Sequence, residues 1–416
     1  MNNPDVIVIG GGAAGLMAAI WTARTEPSAR VFVLDSARRL GAKILVSGGG
    51  RCNVTHERVT EHDFAGSTPH AIRKVLRRFQ VPDTVAFFQD LGIELKREET
   101  GKLFPTTDSA RSVLRALLQT AGRLGVEIQH PRRVEYVNQT ASGFEAEGEW
   151  GRVPAPYAIL ATGGKSLPKN GSDGHGYVIA TSLGHSLTSR ILPALVPLTL
   201  RAGHFCRRLS GLTVPAQLEV LDSNGKRLAA FRDSTLCTHF GLSGPSVLNI
   251  SRYYLNARLE DPGTRLVIDW LPPVASEKLD AALRGLRKTK VVNYLATVLP
   301  DRLAQELIRE AGVDEQVYGY ALTRHDRLSL VKTTKRMELP VLGDRGFGLA
   351  EVTAGGVPLK ELYLETMESR VCPGLFLCGE ICDVDGRIGG FNFQWAWASG
   401  HVAGVAVGKK LARGEP

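Results

Sequence analysis

After Asp5 the chain opens on an uninterrupted apolar run, Val6-Ile7-Val8-Ile9, rich in β-branched residues and without polar alternation. Such a run predicts a short strand buried on both faces, as in a parallel sheet. A glycine cluster, Gly10 to Gly15, follows it; Leu16 to Arg24 predicts a helix and Arg30 to Asp35 a second strand. The spacing, about 30 residues, is that of a strand–turn–helix–strand unit. Residues 70–79 and 109–124 read as helices, and Tyr157 to Ala161 as another buried strand. Past residue 190 the pattern shortens: 195–201, 214–221 and 227–232 are β-like, with Asn224-Gly225 as a hairpin turn. Residues 275–312 then carry Leu and Ala at i, i+3 and i+4, which predicts helices. A buried strand returns at Val371 to Cys378, leading through a glycine-rich segment into a final helix from Trp395 to Leu411. No internal repeat or low-complexity tract interrupts the series.

These elements predict an α/β protein whose nucleotide-binding domain is assembled from both ends of the chain, 1–190 and 346–416. A β-rich domain, 191–270 with 322–345, and a small helical domain, 271–321, are inserted between them.

Composition changes this picture little. With 416 residues, 43% hydrophobic and 22% charged, the chain has ample core, and disorder, collagen and coiled coil are excluded as whole-chain readings. The 45 glycines are clustered rather than dispersed. Six cysteines form no C-x-x-C pair and no disulfide scaffold, which points to a reducing cytoplasm. Val6 to Trp21 is apolar enough to suggest a signal peptide, but Asp5 stands where a basic region belongs and glycines interrupt it. No run approaches the ~20 apolar residues of a membrane span, so no membrane is expected.

Gly10, Gly12 and Gly15 form G-x-G-x-x-G between a strand and a helix. In that context glycines permit the turn, the approach to a pyrophosphate and close helix packing, and the N–H groups of Ala13 and Ala14 open the helix toward an anion. Asp35, twenty residues beyond Gly15, ends the second strand, where an acid accepts from ribose hydroxyls. Two further segments select FAD over NAD. Leu375 to Glu380 is a strand ending in Gly379-Glu380, followed by Asp385 and by Gly390-Phe391-Asn392-Phe393-Gln394 at the last helix. Thr162 and Gly163 follow the strand at 157–161. Three separated glycine motifs in this order resemble the glutathione-reductase type of Rossmann FAD-binding domain.

The string Gly41-Ala42-Lys43-Ile44-Leu45-Val46-Ser47-Gly48-Gly49-Gly50-Arg51-Cys52-Asn53 is more specific. With Glu351-Val352-Thr353-Ala354-Gly355-Gly356-Val357 and the 379–394 segment, it closely resembles the BaiN/RdsA-like flavoproteins, also labelled NAD(P)/FAD-dependent or aminoacetone-oxidase-like. The resemblance spans nearly the whole chain. It implies an FAD domain with an inserted β-barrel-like domain and a small helical one. Lys43, Ser47, Gly48, Gly49, Gly50, Arg51 and Asn53 would then lie along the cofactor, with Thr353, Gly355 and Gly356 reaching its ring. Asp35 stands where Glu is commoner, and Gly49 where a longer residue is common. NAD(P)H is implied as the electron donor, although no second strand–G-x-G-x-x-G–helix is present to bind it.

The flavin carries the redox step and the protein positions substrate. Cys52, within the flavin-side motif, and His239 are candidate proton donors; Phe391, Trp395 and Trp397 are candidates for stacking on a ring. Cys378-x-x-x-Cys382 lacks completing ligands, so no metal is expected. The net charge of +9 gathers at Arg73-Lys74 with Arg77-Arg78, Arg132-Arg133, Arg207-Arg208, Arg287-Lys288 with Lys290, and Lys332 with Lys335-Arg336. Together these favour a polyanion such as RNA. With the resemblance, they imply first a flavin-dependent reductase of a uridine in ribosomal RNA. The alternatives are an oxidase of a small amine such as aminoacetone, and a flavin-containing RNA-binding protein without turnover. Oligomeric state is not indicated.

Overall fold

A computed structural model describes residues 3–414, which divide into two compact units: 3–193 with 351–414, and 194–350. In the first, a seven-stranded sheet runs in the order 362–363, 368–369, 375–377, 157–160, 6–9, 31–34, 127–129. The last five strands are parallel, with Val6 opposite both Tyr157 and Val31. Val6, Ile7 and Val8 are wholly buried, as the absence of polar alternation requires.

The first helix spans Ala13–Thr25 and the last Phe391–Ala412, each starting earlier than its apolar periodicity suggests. The cause is that both begin directly on a glycine, Gly12 and Gly390. These two helices pack on each other through Gly400, Gly404 and Gly408, spaced four apart. A β-carbon at Gly400 would lie 2.5 Å from Ala14 O, and one at Gly404 would overlap Ala18 O. Thr22 Oγ1 bonds across the seam to Gly404 O at 3.2 Å.

The second unit contains a seven-stranded antiparallel sheet ordered 337–338, 265–269, 213–221, 227–238, 241–243, 198–200, 341–344. Its two edge strands are consecutive in the chain, joined only by Leu339-Pro340. Leu339 N bonds to Leu266 O at 2.8 Å, and Pro340 O accepts from Arg201 N at 3.2 Å. One short connection therefore ties both edges, giving a barrel-like closure that removes open strand edges. The helices Ser276–Gly285, Val291–Leu295, Asp301–Glu310 and Arg324–Lys335 share one apolar core with this sheet. Trp270 N bonds to Thr334 O at 2.9 Å, and buried Lys335 pairs with Asp269 at 2.7 Å.

His401, on the last helix, lies 4.4 Å from the Trp21 ring and 4.6 Å from Phe79, with a buried Nδ1 that has no partner. Burial, aided by Lys409 and opposed by Asp83, pushes its pKa down to about 4. The unfolded chain binds this proton near pH 6.5, so stability is full above that value and is lost as pH falls toward 4. His401→Phe is expected to reduce the drop in melting temperature between pH 7.5 and 5 by about 2–4 °C, measured by differential scanning fluorimetry.

Candidate functional site

The first helix begins without a side-chain cap and without an acid in its first turn. Its leading N–H groups, at Ala13 and Ala14, therefore present the positive end of the helix dipole unopposed. The three motif glycines divide by role. A β-carbon at Gly10 would overlap Ala161 O, and one at Gly15 would overlap Gly10 O, so both serve the turn's own packing. One at Gly12 would meet no protein atom within 4 Å. Gly12 thus borders open space, where a diphosphate has room. Asp35 braces the turn, accepting from Gly11 N at 2.6 Å and Ala37 N at 2.7 Å. Its carboxylate lone pairs beyond these two bonds suit a ribose hydroxyl.

The returning segment closes against this helix. Gly379, at φ +78°, would place a β-carbon 2.7 Å from Ala14 Cβ. Glu380 pairs with Lys43 at 2.6 Å and accepts from Thr353 N at 2.9 Å. Thr353 Oγ1 in turn accepts from Lys165 N at 2.8 Å and Ser166 N at 3.1 Å. Lys43, Glu380 and Thr353 therefore brace the site, joining the turn after Thr162 and Gly163 to residues 352–354. Gly355 would overlap Arg190 O, and Gly356 would lie 2.5 Å from Ile381 O; both positions demand glycine for backbone packing.

Gly48, Gly49 and Gly50 are successive left-handed residues, with φ of 55°, 69° and 87°, and are exposed. No atom lies within 4 Å of a β-carbon at Gly49. Residues Ser47–Gly50 wind into a single 3-10 turn, closed by Arg51 N on Ser47 O, that leaves this glycine loop open to a ligand's approach. Ser47 Oγ bonds to Ile44 O at 2.8 Å. Asn53 is buried, and its Oδ1 has no protein donor, an unsatisfied acceptor that a ligand N–H or O–H would complete. Arg51 is held elsewhere: it pairs with Glu98 at 2.5 Å and Asp108 at 3.6 Å, and lies 4.1 Å above the Phe104 ring.

At the last helix, Gly390 (φ +94°) packs on Thr55, again without a side-chain cap or a first-turn acid. Gln394 is held by protein: its Oε1 accepts from Thr55 and Thr84 hydroxyls at 2.7 and 2.9 Å, and its Nε2 donates to Phe79 O at 3.0 Å. Asn392 clips the preceding turn through both Gly386 N and Gly386 O. Phe391 stacks on His56 at 4.9 Å, and Asp385 is buried. Trp395 and Trp397 are buried and bonded to Gly379 O and Val54 O, so neither is a stacking surface.

The two proton-donor candidates belong to different units of the chain. Cys52 is fully enclosed, and burial pushes its thiol up to about 12, with Ser47 as a minor opposing contact. His239 stands exposed in the hairpin turn between 227–238 and 241–243, in the other unit. A carboxyl that sequence reasoning passed over is Glu351, first residue of the 351–357 motif, which is exposed to water beside the buried Val352 and Thr353. Burial by surrounding protein raises its carboxyl, against the pull of Lys102.

Several basic clusters are spent on structure. Arg132 lies on Trp150, Arg133 pairs with Asp173, Arg208 with Glu306, and Lys335 with Asp269. Among the described residues, Lys74, Arg77, Arg78, Arg287, Lys288, Lys332 and Arg336 stay exposed without an ion-pair partner. Also among the described residues, no group of acids, cysteines and histidines is placed to hold a metal, and no helix is long and apolar enough to cross a membrane.

Two uncapped helix starts, open space at Gly12, an exposed glycine loop at 48–50 and an orphaned acceptor at Asn53 fit a flavin dinucleotide. Comparison with known proteins agrees. The model of the HI0933-like protein Rossmann domain matches residues 4–406. A 3-dehydro-bile acid delta(4,6)-reductase of Clostridium scindens is 35% identical, covering 97% of this chain and 98% of its own. Ribosomal RNA dihydrouridine synthases of Escherichia coli and Haemophilus influenzae are 35% and 32% identical, covering 96% and 97% of this chain and 96% and 98% of theirs. In fold, the chain is similar to a 3-ketosteroid delta1-dehydrogenase of Sterolibacterium denitrificans, with TM-score 0.52, 12% identity and 99% and 100% coverage. The chain belongs to the HI0933-like family and is an FAD-dependent oxidoreductase.

Because Gly12 opens onto space, Gly12→Val is expected to purify without its yellow colour and to melt at the same temperature as flavin-stripped wild type. Gly15→Ala, which overlaps Gly10 O, is expected to lose several kcal/mol of stability. The ratio of flavin to protein absorbance, alongside thermal melts, distinguishes the two.

Proposed function

We propose that this member of the HI0933-like family reduces the carbon–carbon double bond of a uridine in ribosomal RNA, forming dihydrouridine. Its relatives bracket the chemistry: the names of two give dihydrouridine synthesis, and that of the third gives reduction of double bonds in a 3-dehydro-bile acid. Both are reductions of an activated double bond. The observation that favours RNA over a small apolar substrate is the set of exposed cations that, among the described residues, have no carboxylate partner, Lys74, Arg78, Arg287 and Lys288 among them. Unpaired like charges on one surface repel, and a phosphate backbone relieves that cost.

Bound FAD, when reduced, supplies the hydride to one carbon of the double bond. The chain's own contribution is to hold its diphosphate at the amides of Ala13 and Ala14 and to deliver a proton to the neighbouring carbon. Glu351 holds that proton, its raised carboxyl staying protonated further up the pH scale than an ordinary glutamate. Lys43, Glu380 and Thr353 keep the surrounding strands in register. NAD(P)H serves as the electron donor, and such a substrate implies a cytoplasmic reaction.

The test combines holo-protein, NADH or NADPH, and unmodified large-subunit ribosomal RNA, with dihydrouridine read by nucleoside mass spectrometry. Dihydrouridine is expected. Its absence, with consumption of a conjugated steroid enone instead, would overturn the RNA assignment. Glu351→Gln is expected to keep FAD and its reduction by NAD(P)H but to slow substrate reduction about 10²–10⁴-fold. In the wild type the rate should fall as pH rises and Glu351 loses its proton; in the variant that limb should vanish.

A further inference from the structure

In the 194–350 unit, two short segments are laced together by their backbones. Gly319 N donates to Thr289 O, Tyr320 N to Arg287 O and Val291 N to Val317 O, each at 3.0 Å, while Lys290 and Tyr318 form an antiparallel bridge. This places Arg287-Lys288-Thr289-Lys290 directly beside Tyr318-Gly319-Tyr320. The two tyrosine rings stack at 5.7 Å with an interplanar angle of 15°. They are 37% and 70% exposed, so the stacked pair is turned toward water rather than the core. Gly319 holds the arrangement tight, since a β-carbon there would lie 2.5 Å from the Leu286 backbone.

Three cations edge the pair. Lys290 Nζ lies 5.7 Å over the Tyr318 ring and donates to Gln316 at 2.5 Å. Arg287 and Lys288 are exposed with no carboxylate partner among the described residues. The nearest acids along the chain are already engaged: Asp314 accepts from Gln316 N, and Glu315 pairs with Arg309. A rigid, pre-stacked aromatic step edged by unpaired cations matches nucleic acid whose bases are free to leave their own stack. A duplex would offer phosphates to the cations but no base faces to the rings.

We propose that Tyr318 and Tyr320 form a landing platform for single-stranded RNA. Bases stack on the exposed Tyr320 face, and phosphates lie along Arg287 and Lys288. The proposal rests on the RNA reading given above and locates one of the surfaces that holds that substrate.

The probe is a fluorescein-labelled, uridine-containing single strand of on the order of ten nucleotides, titrated with full-length holo-protein and followed by anisotropy. Tyr320→Ala is expected to weaken binding about tenfold, with an unchanged melting temperature because the side chain is mostly exposed. Tyr320→Trp should restore binding. Arg287→Glu with Lys288→Glu should weaken it and reduce the log–log salt slope by about 1.4 for two lost phosphate contacts. Binding by Tyr320→Ala within about twofold of wild type, or equally tight binding of the same sequence as a duplex, would overturn the platform. If the wild type still forms dihydrouridine in that case, the platform alone is wrong. A wild type that neither binds nor modifies RNA overturns the RNA reading and the platform with it.

Discussion

The close approach of the first and last helices is the constraint on which the cofactor site depends. Gly400, Gly404 and Gly408 remove every side chain along one stripe, so the last helix rests on the backbone of Ala14 and Ala18. At this distance the two helix starts, Gly12 and Gly390, cannot shift independently. The last helix also holds the strand end it faces: Ser399 Oγ accepts from Gly379 N, and Trp395 Nε1 donates to Gly379 O. Glu380 extends this hold to Lys43 and Thr353. Residues far apart in the chain thus converge through one stripe of small residues and a few saturated polar groups.

The site separates into polar groups already satisfied and a few left open. Gln394, Asn392, Thr353 and Arg51 spend their hydrogen bonds on the protein, which fixes the backbone around them. The amides of Ala13 and Ala14, with Asn53 Oδ1, keep unused capacity among the described residues. Preorganisation of this kind means that the ordering cost is met in folding, and a ligand need not impose it.

Much of this was readable from the sequence, and the remainder was hidden for physical reasons. Gly10, Gly12 and Gly15 were identifiable because a strand, a tight turn and a helix impose them within six positions. Their division of labour was not, since it depends on Ala161, a strand away. Gln394 reads as a ligand donor beside a glycine turn, yet its partners Thr55 and Thr84 lie more than 300 residues off. The basic clusters were visible as clusters, but only tertiary contacts show that Arg133, Arg208 and Lys335 are neutralised while, among the described residues, Lys74, Arg78 and Arg287 are not. Likewise, the helical segment after Ser276 looked separable by periodicity alone, whereas its apolar face is completed by the strands around Trp270.

The same helix seam has a consequence for how the protein is made. The residues of the first helix leave the ribosome about 380 positions ahead of their partners on the last, which at roughly 5–20 residues per second is a delay of tens of seconds. During that interval the apolar face of Ala14, Ala18 and Thr22 has no native cover, while residues 194–350, contiguous in the chain, have all they need to fold. Vectorial synthesis therefore favours completing the inserted unit first and the cofactor-binding unit last. Flavin capture becomes a late event, gated by release of the C-terminal segment from the ribosome.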